Sequence, residues 1–159
     1  MNTSKEIIVI PNKTLKLTNP LIKELTMEEI KNFNQTLMVF QGVIKSRNLQ
    51  VIGPLITYTA SVIEDGVSHP VMKIITQLKE APKGVINGNF EFHNEIKIKN
   101  CLYTRFTGNQ RYLQIAIMKM KTYAYENDLE LKDDYYSIML SQNEGNITVD
   151  LFMEVVNEE

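Results

Sequence analysis

An apolar stripe occurs twice in this chain at a fixed spacing, and that recurrence limits the fold more than any other feature. Leu113, Ile117, Met120 and Ala124 follow one another at steps of four, three and four, which places them on one face of a helix. Eighty residues earlier the same steps read Phe33, Leu37, Phe40 and Ile44. The exits agree as well, since Leu129 and Leu131 fall on Leu49 and Val51. Each stripe precedes a pair of strand-like segments, so the pattern implies a duplicated unit.

The intervening signals give the order of elements. Thr26 and Glu29 have capping-box spacing and predict a helix over about Met27 to Arg47, with Ile30 extending its stripe and Asn48 as C-terminal cap. Gln50 to Glu64 and His69 to Lys79 are strand-like and flank the turn signal Asp65-Gly66, while Gly53-Pro54 predicts a kink or bulge at the hairpin entrance. Residues 81–89 hold a proline, two glycines and two asparagines and read as a linker. Phe90, Phe92, Ile96, Ile98 and Leu102 stand at even steps and predict a strand. The second helix lies within Phe106 to Leu131. A second hairpin, Asp134 to Ser141 and Ile147 to Val156, turns at Asn143-Glu144-Gly145-Asn146. At the start, Lys5 to Ile10 predicts a short strand ending at Pro11, and Pro20 confines Leu15 to Leu25 to an edge strand or a bulge. The expected fold class is α+β, a single domain over 1–159. It has duplicated β-α-β-β repeats about a pseudo-twofold axis, at about 13–80 and 90–156. Two long helices pack on antiparallel sheet, and the N-terminal strand is extra.

Composition narrows the function classes. A net charge of -2 and a pI near 5.8 leave no electrostatic footprint for nucleic acid. Residues 1–80 carry about +2 and residues 81–159 about -4, a mild polarity that identifies no partner. The single cysteine, Cys101, suits a reducing compartment, and no signal-peptide or bilayer-length apolar run occurs. The expectation is a cytoplasmic protein without direct membrane insertion.

Chemistry-bearing residues are sparse. Cys101 sits in an apolar strand context, where a buried thiol acts as a small hydrophobe. His69 and His93 lie in different segments with no third ligand nearby, so no metal site is expected. Glu28-Glu29 and Asp133-Asp134 fit helix and turn starts. Lys97, Lys99 and Arg105 alternate as the solvated face of a strand, and Gly84 to Gly88 lacks the end of a phosphate-binding loop. No catalytic residue and no cofactor is expected. What remains is a set of tyrosines and methionines on the strands and helix that would border a groove, including Tyr135 and Met153. Met120 belongs to the core stripe, whereas Met118 lies off it and would mark a contact surface if exposed.

Two stretches carry a family resemblance. Ile52-Gly53-Pro54-Leu55-Ile56-Thr57-Tyr58 and Tyr103-Thr104-Arg105-Phe106-Thr107-Gly108 resemble the strand entry and the strand-to-helix crossing of the GyrI-like, or SOUL-like, fold of gyrase-inhibitor-type proteins and drug-responsive regulators. The usual Pro-Tyr after the second is Asn109-Gln110 here. Phe92-His93, Arg105, Gly108 and Gly53-Pro54 resemble more narrowly the EsaE-like chaperones of type VII secretion. That likeness implies a cytosolic, non-enzymatic adaptor that binds the helical targeting region of a secreted toxin of the nuclease or LXG type, with a secretion ATPase as a further partner. The candidate groove residues, drawn from the tyrosines and methionines above together with Arg105, are Tyr58, Tyr103, Arg105, Tyr112, Met118, Tyr136 and Met139. The alternative is a small-molecule module for an apolar or aromatic ligand. Tyr136 stands where many GyrI-like drug binders and related hydrolases place a Glu, which argues against cationic ligands and hydrolysis.

Overall fold

Residues 6–86 and 88–156 are described by the structure, a computed structural model. Lys5 and Asn87, which fall in a predicted strand and in the predicted linker, lie outside the described residues. The chain forms two compact units, Lys16–Ile96 and Met1–Leu15 with Lys97–Glu159. The divisions fall inside strand β1 (Ile10–Thr18) and strand β6 (Glu95–Asn109).

In the unit Lys16–Ile96, strand β2 (Pro20–Glu24) leads through Thr26 into helix α1 (Met27–Lys31). The Thr26 hydroxyl accepts from the Glu29 amide at 3.2 Å, and the Glu29 carboxylate accepts from the Thr26 amide at 3.0 Å. Lys23 adds an ion pair at 3.3 Å to Glu29. Leu25 and Ile30 meet the same apolar cluster, as a hydrophobic staple requires. Thr26→Ala is expected to cost about 1 kcal/mol of stability, read as an earlier urea midpoint with unchanged slope. The predicted single helix is broken at Asn32, where φ is -107° and ψ 47°. Both the backbone amide and the side chain of Asn32 donate to the Glu28 carbonyl at 3.1 Å, which caps the end of α1. Helix α2 (Phe33–Ser46) then continues on its own, and Thr36 spans the break by donating to the Glu29 carbonyl at 2.9 Å.

Strands β3 (Val51–Glu64) and β4 (Val67–Leu78) form the predicted hairpin, with Asp65 and Gly66 both at positive φ. Their register slips between Ile52 and Ile56, the bulge expected from Gly53-Pro54, with Gly53 at φ 77°. The strand order in this unit is β3-β4-β2-β5, where β5 is Phe90–Phe92. Thus β2 is paired on both sides rather than at an edge. Pro20 is tolerated because it is the first residue of the strand. Under the sheet, Phe40 and Ile44 of α2 pack with Leu21, Ile74 and Leu78, and Phe40 stacks on Phe90 at 6.0 Å.

The other unit repeats the connectivity by itself. Strand β6 ends in a 3₁₀ turn (Gln110–Tyr112), helix α3 (Leu113–Glu126) follows, and β7 (Asp134–Asn143) and β8 (Asn146–Glu154) form a hairpin. Strand β6 pairs with β8, as β2 pairs with β4. Glu144 and Gly145 supply the two positive φ angles of the turn. Ala116, Ile117, Met120 and Ala124 of α3 close on Leu102, Phe106, Val149, Leu151 and Met153. The buried residues of α2, Thr36, Phe40 and Ile44, lie eighty positions before Ala116, Met120 and Ala124. Both helices end alike: Asn48 and Asp128 have φ of 54° and 53°, and Leu49 and Leu129 donate to the carbonyls of Ile44 and Ala124.

Near its start the chain departs from the sequence reading. Strand β1 begins at Ile10 and runs through Pro11 instead of stopping before it, and Asn19 at φ 47° separates it from β2. The order β1-β6-β8-β7 places β1 at its outer end, a position in which a strand tolerates proline.

Candidate functional site

Alternation along β8 sorts its side chains between two faces. Ile147, Val149, Leu151 and Met153 are buried toward α3, so Thr148, Asp150, Phe152 and Glu154 point the other way. Residues directly opposite across an antiparallel pair share a face. Phe152 lies opposite Tyr103 of β6 and Tyr136 of β7, and Asp150 lies opposite Arg105 and Ile138. The result is an aromatic row, Tyr136–Phe152–Tyr103, beside a polar row built around one carboxylate. Tyr103 and Phe152 have ring centroids 5.0 Å apart.

The carboxylate is fully engaged. Asp150 Oδ1 accepts from the Tyr103 hydroxyl at 2.8 Å and from Arg105 Nε at 2.8 Å, and Oδ2 accepts from Arg105 Nη2 at 3.1 Å. The Asp150 side chain is 13% exposed and that of Arg105 56%, so the acid is held in the sheet face and the guanidinium caps it from outside. This fork geometry is the one in which arginine binds a carboxylate best. It also holds the Arg105 guanidinium more firmly protonated than usual. Glu154, in the next row opposite Cys101, is likewise neutralised by Lys132 at 2.9 Å.

The titratable groups here stay in their uncharged or paired forms near neutral pH. Burial, and then the hydrogen bond to Asp150, push the Tyr103 phenol up. Burial pushes Tyr136 up to about 12, with the Asp134 and Glu154 charges adding to it. The Cys101 thiol, 1% exposed, is pushed up to about 11, chiefly by burial. Cys101 is therefore expected to resist aromatic disulfide reagents at pH 8 in the folded protein and to react at once in urea. A raised folded-state value means the neutral thiol's stabilising contribution is complete below the ordinary value of 9.0 and lost as pH rises through about 11. Cys101→Ala should remove about 1–2 kcal/mol of that alkaline loss, measured as unfolding free energy between pH 9 and 11.

The structure divides the residues singled out from sequence. Tyr103, Arg105 and Tyr136 share the face described above. Met139 does not, because it lies opposite Val149 and packs into the α3 core. The one-residue alternation of β7 sends Tyr136 and Met139 to opposite faces, a distinction hidden in a run of apolar residues. Tyr112 and Met118 sit on the 3₁₀ turn and on α3, at 41% and 65% exposure, away from the strand face. Tyr58 belongs to the unit Lys16–Ile96, opposite Lys73, whose ammonium is 5.4 Å from its ring centroid. Asp150 and Phe152 were missed. The period-two pattern of β8 and the pairing of its acid with Arg105 were the available signals. Asn100, at φ 62°, interrupts the alternation of β6 that would have aligned Lys97 and Lys99 with Arg105.

Among the described residues, no group of three His, Cys, Asp or Glu side chains is placed to hold a metal ion. His93 instead approaches Glu91 at 2.6 Å, which holds the Glu91 carboxyl below its usual range. Among the same residues no helix is long and apolar enough to cross a membrane.

No family model matches the chain, and no curated protein matches it in sequence. Solved structures do match in fold. The EcmrR C-terminal domain aligns with 96% of this chain and 98% of its own, at a TM-score of 0.66 and 13% identity. A hydrolase from Listeria innocua aligns over 96% and 93% at 0.58 and 12% identity. SAV2435, solved bound to tetraphenylphosphonium, aligns over 96% and 94% at 0.53 and 12% identity. These likenesses concern architecture, and they establish that the chain has the α+β, GyrI-like fold.

Proposed function

We propose that the protein is a small-molecule-binding module that takes an uncharged aromatic or apolar ligand and does not turn it over. The observation that carries this reading is the row Tyr136–Phe152–Tyr103 next to a carboxylate already saturated by Arg105 and Tyr103. Flat aromatic side chains offer contact area at little entropic cost, and the phenols offer hydrogen bonds at its margin. SAV2435, with the same fold, holds an aromatic cation. Here Asp150 and Glu154 are paired with Arg105 and Lys132, so a full cation gains nothing from these two acids. The pairings engage the Asp150 and Glu154 carboxylates, and burial keeps the Cys101 thiol and the Tyr136 phenol protonated, which supports binding without hydrolysis despite the likeness to a Listeria hydrolase.

The test is titration with a neutral fluorescent aromatic, N-phenyl-1-naphthylamine, against wild type and Phe152→Ser. Loss of at least about tenfold in affinity is expected from removing the central ring. Equal affinity for both proteins would overturn the assignment of the face.

A second reading rests on α3. Ile115, Met118 and Tyr125 are 48%, 65% and 86% exposed, an apolar ridge on the side away from the core. Such a ridge suits a helical protein client, and the resemblance to EsaE-like chaperones would make that client a secreted toxin delivered to a secretion ATPase in the cytoplasm. Met118→Asp abolishing capture of a helical client while leaving aromatic-ligand binding intact would favour it. SAV2435, solved with a small molecule bound, supports the first reading over this one.

A further inference from the structure

A hollow of about 540 Å³ lies in the unit Lys16–Ile96, far in sequence from the aromatic face, where the end of α2 meets the segment leaving β4. It is lined by Arg47, Lys79 and Lys83 around an apolar floor that includes Leu49 and Ile86. Both floor residues pack on the cluster containing Phe40 and Leu78, so the hollow has a fixed base. The Lys79 amide donates to the Gln50 carbonyl at 2.8 Å and ties the two walls together.

The three cations are uncommitted. Lys16, Lys23, Lys73, Arg105 and Lys132 are each ion-paired, whereas the side chains of Arg47, Lys79 and Lys83 make neither an ion pair nor a hydrogen bond among the described residues. Glu80 is the one carboxylate in the lining, leaving a net charge of about +2 in a concave site. The end of a helix ordinarily repels anions through its free carbonyls. Here they are occupied: Val43 accepts from Arg47 and Ser46, Ile44 from Leu49, and Lys45 from Asn48.

We propose that this hollow binds a small organic phosphate, a phosphomonoester carried on a planar or apolar body. A net +2 matches a dianion, the arginine fork matches phosphate oxygens, and the volume lies within the range of small-molecule sites. The apolar floor favours an organic body over the bare ion. Three cations around one hollow are too few and too local for a nucleic-acid track, which needs a stripe.

The experiment is calorimetry at low ionic strength with AMP, adenosine and inorganic phosphate. AMP is expected to bind at least tenfold tighter than either of the others. The triple variant Arg47→Gln, Lys79→Gln, Lys83→Gln should lose at least tenfold in AMP affinity with unchanged thermal unfolding, because all three side chains are exposed. Glu80→Gln should tighten AMP several-fold, and Phe152→Ser should leave it unaltered. AMP binding no tighter than inorganic phosphate would mean an adventitious ion only and would overturn the proposal. So would AMP affinity equal in wild type and the triple variant, or a short single-stranded RNA binding tenfold tighter than AMP.

Discussion

Arg105→Gln is expected to bind tetraphenylphosphonium on the order of tenfold more tightly than wild type, while affinity for N-phenyl-1-naphthylamine stays within about twofold. The substitution removes the guanidinium that engages both oxygens of Asp150 and leaves the carboxylate with the Tyr103 hydroxyl as its recorded partner. A lipophilic cation seated on Phe152 would then meet both a ring face and an uncompensated negative charge. Asp150→Asn should do the reverse, since it releases the Arg105 charge onto the same face and excludes the cation. Isothermal calorimetry on the two variants reads the exchange directly. If both bind the cation as wild type does, Asp150 and Arg105 do not set the charge preference of this face.

Phe40→Ala is expected to destabilise the protein by about 3–5 kcal/mol, and Met120→Ala by about 2–5 kcal/mol. Phe40 is 1% exposed and Met120 0%, and each is the central residue of the buried stripe on its own helix. The loss combines the transfer energy of the removed atoms with the void left between helix and sheet. Phe40 should cost more, because its ring also stacks on Phe90 and helps hold the short strand β5. Urea unfolding followed by circular dichroism measures both. A loss below about 1 kcal/mol at either site would show that the surrounding side chains collapse into the space, contrary to a closely packed interior.

The parts of the fold that were legible from sequence are those fixed by local chemistry. The stripe of Leu113, Ile117, Met120 and Ala124 had to lie inward because a 3.6-residue period leaves one apolar side. The capping box at Thr26 and the positive-φ turns at Asp65-Gly66 and Glu144-Gly145 depend on a few adjacent residues, and they appear where expected. The bulge after Gly53-Pro54 is of the same kind. Asn32 was misjudged because the apolar period continues past it through Ile30 and Phe33, while its backbone turns out of the helical region at ψ 47° and its side chain caps the Glu28 carbonyl. Pro11 and Pro20 were misjudged because a proline's cost depends on which neighbour would have used its amide, and that is a property of the sheet.

The candidate face was only partly readable. Tyr103, Arg105 and Tyr136 could be named from composition and family likeness, yet Met139, Tyr112 and Met118 were grouped with them and lie elsewhere. Asp150 drew no reading from sequence, and only the pairing of β6 with β8 sets it opposite Arg105, forty-five residues away. By itself, the sequence determined the buried stripe of each long helix, the capping box and the hairpin turns, because each follows from interactions among residues close along the chain. Only the tertiary structure decided which side of each strand faces the helix, which charges cancel, and which cations remain unpaired around the hollow at Arg47. Those outcomes depend on strand register, where a shift of one residue exchanges the two faces.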